Sequence, residues 1–205
     1  MRKHTQIQSL LWKLANYNSF YMKFCNTLFN NVSGIGGIFF MQICISFISG
    51  YLISTIITSV LPLSLIIGVM SSLLLFFYVK FSTLFLSITF SSIRLLILLL
   101  LSILITILIT FPFLLKIFHS QIEYVFLLNE GVLSITGNNK IWNLLYGLYR
   151  LWCYEENGLI VFFVSISLFS LLLFIFFYPY ILIYQNKTSL YYKILRLYEE
   201  RFNQE

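Results

Sequence analysis

The chain has 205 residues, of which 60% are hydrophobic and 10% are charged, and its formal net charge is +6. Soluble domains carry roughly 25% charged residues, so this composition excludes a soluble globular protein and indicates an integral membrane protein. The basic residues lie beside long apolar runs, which is typical of membrane topology and argues against a nucleic-acid-binding protein.

The chain contains one alanine, Ala15, beside 22 phenylalanines and 14 tyrosines. Transmembrane helices ordinarily use alanine freely, because it packs closely and is the best helix former. Residues with GC-rich codons are scarce, whereas Phe, Ile, Tyr, Asn and Lys are plentiful, and no packing argument requires this skew. We interpret it as nucleotide bias, which indicates a gene from a mitochondrion, a plastid or a reduced bacterium.

Residues 1–33 are predicted to form an amphipathic amino-terminal segment. From residue 5 to residue 30 apolar side chains recur at helical spacing, whereas Lys13 and Lys23 fall outside that pattern. The segment is too polar for a signal peptide. A helix lying on the membrane surface is the favoured interpretation, and a mitochondrial transit peptide is the alternative, which the low arginine content disfavours.

Four apolar runs reach or approach the roughly 20 residues that a membrane-spanning helix requires. They cover about residues 35–60, 62–78, 95–115 and 159–184, and the second extends to residue 89 if its helix is strongly tilted. The short connection between the first two runs predicts an antiparallel hairpin. The sequence therefore predicts an all-α integral membrane protein, with three transmembrane helices in residues 34–116 and a fourth in residues 158–186.

Residues 117–157 and 187–205 are predicted to lie at the membrane surfaces. Two short helices are expected on the outer side, over 117–128 and 141–154, with turn-forming sequences between them. The second is rich in Trp and Tyr, which prefer the headgroup region, so Trp142 and Trp152 are predicted membrane anchors. The inner tail is expected to form an amphipathic helix over 188–202.

Charge asymmetry predicts the orientation of the chain. Ten of the 13 basic residues fall in segments on the side of the amino terminus, and three fall on the opposite side, namely Lys116, Lys140 and Arg150. Because positively charged segments stay inside, both termini are expected in the matrix, stroma or cytoplasm.

Small and polar residues recur at intervals of four along the first two spans. The predicted helix-packing residues are Ser46, Gly50 and Ser54 in the first span and Ser64, Gly68 and Ser72 in the second. Residues four apart share one helix face, and small residues there allow helices to approach closely. The alternative is a polar pore lining, for which Gln42 is the strongest candidate.

Lys80 and Arg94 are predicted membrane anchors on the inner side. If the second span ends at Tyr78, Lys80 reaches the headgroups by snorkelling. If that helix continues, Lys80 lies deeper and requires a partner. Pro112 and Pro179 are expected to kink the third and fourth spans, because each removes an intrahelical hydrogen bond.

Residues that carry chemistry are sparse and scattered. The chain has no aspartate, no glutamate in a predicted span, and three widely spaced cysteines. Its two histidines, His4 and His119, are predicted to lie on opposite sides of the membrane. Haem and metal sites require ligands gathered at one point. We therefore predict a non-catalytic chain without a cofactor or metal, whose partners are other membrane subunits and phospholipids.

Two resemblances accompany these predictions. The features from Trp12 through Gly34-Ile35-Gly36 to Ser49-Gly50-Tyr51, and from Arg94-Leu95 to Pro112-Phe113, resemble the first and third spans of an uncharacterised bacterial membrane family, domain of unknown function 4407. In composition the chain resembles AT-biased, mitochondrially encoded membrane subunits of ciliate-like protists. The latter implies a non-catalytic subunit of a respiratory-chain complex or ATP synthase. The alternative is a small bacterial inner-membrane channel or transporter component.

Overall fold

A computed structural model of the chain describes residues 6–15, 17, 29–58, 60–88, 92–130, 140–154 and 158–186. Within these ranges the secondary structure is helical, without a strand. The helices are α1 (Gln6–Leu14), α2 (Phe29–Thr58), α3 (Leu61–Ile88), α4 (Ser92–Ile117), α5 (His119–Glu130), α6 (Lys140–Tyr154) and α7 (Gly158–Gln185). The predicted tail helix over 188–202 lies outside the described residues, as does the side chain of Trp142.

Helices α2, α3, α4 and α7 are the transmembrane helices. Their apolar stretches cover Asn30–Thr58, Leu61–Phe85, Ser92–Ile117 and Gly158–Gln185. Each is longer than the roughly 20 residues needed to cross a bilayer. Between 22% and 33% of the most apolar window in each stretch is buried inside the protein, so most of each window is not covered by the rest of the chain. The chain is an all-α integral membrane protein with four transmembrane helices.

The spanning helices are longer than the predicted apolar runs. Helix α2 begins at Phe29 rather than near residue 35, and α3 continues to Ile88, as in the longer of its two predicted forms. Polar side chains near these ends find partners inside the fold. Ser33 accepts a hydrogen bond from Trp12, and Ser82 bonds the hydroxyl of Tyr180. Local polarity therefore does not end either helix.

The chain divides into two compact units, and every spanning helix contributes one part to each. Unit 1 comprises Met1–Cys44, Leu73–Ser102 and Ile175–Glu205, and unit 2 comprises Ile45–Ser72 and Ile103–Phe174. Unit 1 thus gathers the amino-terminal parts of α2 and α4 with the carboxyl-terminal parts of α3 and α7. Consecutive spanning helices therefore alternate in direction, and only residues 59 and 60 separate the first pair.

In unit 1, the short helix α1 docks against the start of α2. Trp12 is 1% exposed, and its Nε1 donates to Ser33 Oγ at 2.9 Å. Ala15, the single alanine of the sequence, follows three residues after Trp12 and is also buried. The predicted amphipathic helix over 5–30 is interrupted after Leu14, where Ala15 forms a turn, and residues 18–28 of that prediction lie outside the described residues.

In unit 2, the short helices α5 and α6 close an apolar cluster. Leu144, Leu148 and Leu151 recur at helical spacing on α6 and are buried with Phe118 and Ile122. On the opposite face of α6, two tyrosines are about half exposed, at positions 146 and 149. This division makes α6 an amphipathic surface helix, as its sequence predicts.

Candidate functional site: polar contacts between the spanning helices

The side chain of Gln42 on α2 lies fully buried in unit 1 and reaches the backbone of α7. Its Nε2 donates to the carbonyl of Ile175 at 2.8 Å and to that of Phe176 at 3.3 Å. In a regular helix the Ile175 carbonyl would accept from the backbone nitrogen of residue 179. That residue is Pro179, which has no N–H to give. Gln42 therefore supplies the hydrogen bond that the proline removes.

A second proline in a spanning helix has a similar neighbour, in unit 2. Pro112 deprives the Leu108 carbonyl of α4 of its intrahelical donor. Ser49 Oγ, also on α2, donates to the next carbonyl, that of Ile109, at 3.2 Å. Polar side chains of α2 thus meet the backbone beside both internal prolines. Neighbouring helices commonly compensate prolines in this way in membranes; Gln42 does so at Pro179, whereas Ser49 bonds the carbonyl next to the one that Pro112 leaves without a donor.

Helices α2 and α3 approach closely in unit 2 along a seam of small residues. Ser46 Oγ donates to the Ser71 carbonyl at 3.1 Å, and Ser71 Oγ lies 2.7 Å from the Ser46 carbonyl. A Cβ atom added to Gly50 would lie 2.3 Å from Ser71 Oγ, and one added to Gly68 would lie 3.1 Å from the Phe47 carbonyl. A side chain at Gly50 would therefore force Ser71 to move, and one at Gly68 would fit only if Phe47 shifted by a few tenths of an ångström.

The remaining predicted packing serines differ in their surroundings. Ser54 and Ser64 are buried at 1% and 0% exposure. Ser64 Oγ donates back to the Val60 carbonyl at the start of α3. Ser72 donates to Val69 of its own helix on an exposed side. The interhelical contact at this level is made by the adjacent Ser71, which the four-residue spacing did not select.

Hydroxyl groups connect α3 to α7 and α3 to α4 inside unit 1. Ser82 Oγ and the Tyr180 hydroxyl are hydrogen-bonded at 2.8 Å. The hydroxyl of Tyr78, whose ring neighbours that of Tyr180, lies 3.5 Å from Ser102 Oγ. The two tyrosine rings meet edge to face at 6.4 Å between centroids. These contacts link the three helices, and Ser82 Oγ is also hydrogen-bonded to the Val79 carbonyl of its own helix at 2.9 Å.

The two predicted basic anchors each bind the carboxyl-terminal end of a helix. Lys80 Nζ donates to the carbonyl of Lys13 in the last turn of α1. Arg94 donates to the Phe85 carbonyl near the end of α3 at 2.8 Å, and its guanidinium lies 4.7 Å from the centre of the Phe85 ring. Cations are favourable at helix carboxyl termini, where unpaired carbonyls gather. Helix α3 continues past Lys80 to Ile88, as in the longer predicted form of the second span, and Lys80 has a backbone partner on α1.

On the predicted outer side, His119 and Glu123 pair across one turn of α5, with Nδ1 and Oε1 3.4 Å apart. In the part of the chain that the structure describes, no three potential metal ligands meet. Trp152 is half-buried against the apolar cluster of unit 2. Its Nε1 is closed off from solvent and meets no acceptor there.

An apolar cavity of about 320 Å³ lies in unit 2 between α4, α6 and α7. Its wall includes Phe111 from α4, Trp152 from α6 and Phe169 from α7. Sequence patterns gave no signal for this cavity, because its lining comes from three helices that are far apart in the chain.

Most of the polar side chains described above bond backbone carbonyls or each other and so hold helices together, whereas, within the described residues, Gln42 Oε1, Ser54 Oγ and Trp152 Nε1 are buried without a hydrogen-bond partner. No protein-family model, curated protein or solved structure matches the chain.

Proposed function

We propose that the chain is a non-catalytic subunit of a large energy-converting complex, in the respiratory chain or ATP synthase, in the mitochondrial inner membrane. Both termini would lie in the matrix. The subunit would act in assembly, in packing against neighbouring subunits and in contact with phospholipids.

The observation that carries this proposal is the use of the buried polar side chains. Gln42, Ser46 and Ser49 donate to carbonyls of three different helices. A channel or relay requires polar groups that remain available to an ion or a proton. Side chains that are committed to neighbouring backbones instead fix the helix arrangement, which is the property that an assembly subunit needs.

Composition and surface add further support. The strong bias against residues with GC-rich codons is typical of organellar genes. The most apolar windows of the spanning helices are at least two-thirds unburied in the isolated chain, so they offer large surfaces to lipid and to other subunits. Amphipathic α6 adds exposed tyrosines, and aromatic residues are enriched where proteins meet.

The test is native migration of the endogenous protein. Membranes of the source organism are extracted with a mild detergent, separated on a native gel and analysed by mass spectrometry in slices. We expect the 24.1 kDa chain to co-migrate with respiratory-chain or ATP-synthase subunits at a far larger mass. A harsher detergent serves as control and should release the chain to low mass. The genetic code and location of the gene provide an independent check.

Migration as a monomer or small homo-oligomer under mild extraction would contradict the proposal. Together with ion or solute flux in proteoliposomes, that result would establish the alternative, a bacterial inner-membrane channel or transporter component.

A further inference from the structure

The cavity in unit 2 is a groove that opens on the lipid-facing surface. Ile107 on α4 and Phe162 and Ile166 on α7 belong to its lining, and each is more than 40% exposed. Its volume of about 320 Å³ is within the range of ligand sites, whose pockets are roughly 300–1,000 Å³.

The groove lies at the depth of lipid hydrocarbon chains. Its lining on α4 spans residues 107–114, three to ten residues before the helix ends at Ile117, and on α7 it spans 162–169, four to eleven residues after the start at Gly158. At 1.5 Å per residue, the groove runs from about 5 to about 16 Å below those helix ends. One leaflet of a bilayer contributes about 15 Å of hydrocarbon. The groove therefore lies alongside the acyl chains of one leaflet.

The lining of the groove offers apolar atoms rather than free polar groups, which favours a hydrocarbon ligand over a polar one. The two hydroxyls of the wall are engaged with their own helices, since Thr110 donates to the Thr106 carbonyl at 2.6 Å and Ser165 to the Val161 carbonyl at 2.7 Å. Trp152 Nε1 is covered by protein, so the indole meets the groove through its carbon atoms. Water does not fill an apolar cavity of this kind, which instead takes up apolar molecules.

We propose that this groove binds one acyl chain of a bilayer phospholipid. The acyl chain enters between α4 and α7 and lies against Trp152, Phe111 and Phe169. The phospholipid's headgroup and ester bonds remain outside the groove, near the ends of the two helices. This inference deepens the lipid contact in the proposed function and rests on it, but not on the identity of the complex.

The test uses the purified full-length chain in proteoliposomes and the fluorescence of Trp152. Phospholipid brominated at the middle of its acyl chains quenches tryptophan on contact, and the contribution of Trp152 is the difference between the native chain and Trp152→Phe. Ser165→Leu places a larger side chain in the groove. Ser167→Leu is the matched control, because Ser167 is exposed on the same helix and lies outside the lining.

We expect Ser165→Leu to lower the quenching of Trp152 at least twofold and Ser167→Leu to leave it unchanged. Native mass spectrometry of the same proteins, with all tryptophans retained, should show one phospholipid held by the native chain and by Ser167→Leu and lost from Ser165→Leu. Equal quenching and equal lipid retention in both variants would overturn the proposal, since bulk lipid contact alone would then explain the signal.

Other occupants give different results. Retention of an isoprenoid molecule in place of a phospholipid would overturn the assignment, as would a photoreactive group at position 169 that captures another polypeptide in native membranes. Because the quenching measurement uses the isolated chain, the groove can fail this test while the chain still co-migrates with a complex, and the reverse also holds.

Discussion

Gln42 donates a hydrogen bond to the Ile175 carbonyl, the group that Pro179 leaves without a donor in α7. The proline and the glutamine thus form one structural element, although 137 positions in sequence separate them. In lipid an unsatisfied carbonyl has no water to bond, so such a proline depends on a donor from a neighbouring helix.

A double-mutant cycle tests this pairing. Gln42→Met keeps the volume but removes the donor, and we expect it to destabilise the protein by about 1 to 3 kcal/mol, because the carbonyl is left unpaired. In a Pro179→Ala background residue 179 regains its N–H, so the same substitution should cost less than half as much. Unfolding in mixed micelles measures each free energy. An equal cost in both backgrounds would show that Gln42 does not compensate the proline.

The docking of α1 depends on Gly36, where a Cβ atom would lie 2.1 Å from the Leu11 carbonyl oxygen. Gly36→Ala should therefore displace α1 and expose Trp12, which shifts the emission of that tryptophan to the red when Trp142 and Trp152 are replaced by Phe. Gly37 is the matched control, since a Cβ atom added there would have no neighbouring atom within 4 Å. Gly37→Ala should leave the emission unchanged and stability equal or slightly higher. Identical spectra for both variants would contradict the docking of α1 through Gly36.

The length and spacing of the apolar runs predicted the helices well. A run long enough to cross the hydrocarbon core must bond its own backbone groups in lipid, and a helix does this within a single segment. The four spans and the pair of short helices follow from this pattern. The pattern did not predict which polar residues meet. Ser71 rather than Ser72 contacts α2. The face of α3 that meets α2 depends on how the two helices cross, and the spacing of small residues in the sequence does not give that crossing. The Gln42 contact had a usable signal: Pro179 implies an unpaired carbonyl at residue 175. Identifying Gln42 as the donor required the structure, which shows that α2 packs against α7.

The seam between α2 and α3 should be intolerant of bulk at Gly50. Gly50→Leu forces atoms against Ser71 Oγ and the Ile67 carbonyl, which lie 2.3 and 3.1 Å from a Cβ at that position. We expect a loss of about 1 to 3 kcal/mol, the usual cost of overpacking. Ile53→Leu keeps side-chain volume and should cost less. In the Gly50→Leu variant, the further substitution Ser71→Gly removes the obstructing hydroxymethyl group and should restore part of the lost stability. Equally small effects of the two leucine substitutions would show that the Gly50 face meets lipid.

The charge asymmetry predicts the sidedness of the membrane topology, with both termini inside. After replacement of the native cysteines, single cysteines introduced within residues 129–140 should react with an impermeant reagent added from the outer side. Cysteines placed near either terminus should react only after the membrane is opened. Labelling of the 129–140 segment exclusively from the inside would refute the predicted orientation.

Lys80 and His119 provide the sharpest test that the chain contributes structure rather than chemistry. Lys80 binds the last turn of α1, and His119 pairs with Glu123 on its own helix. Loss of the Lys80 contact should weaken α1 docking by about 0.3 to 1 kcal/mol, the usual size of a charge interaction with a helix end. Lys80→Met should therefore lower the amount of assembled complex, while His119→Gln should change it little. Turnover per assembled complex should remain near the native value in both variants. A large loss of turnover in fully assembled complex would instead place the affected residue on a proton path shared with another subunit.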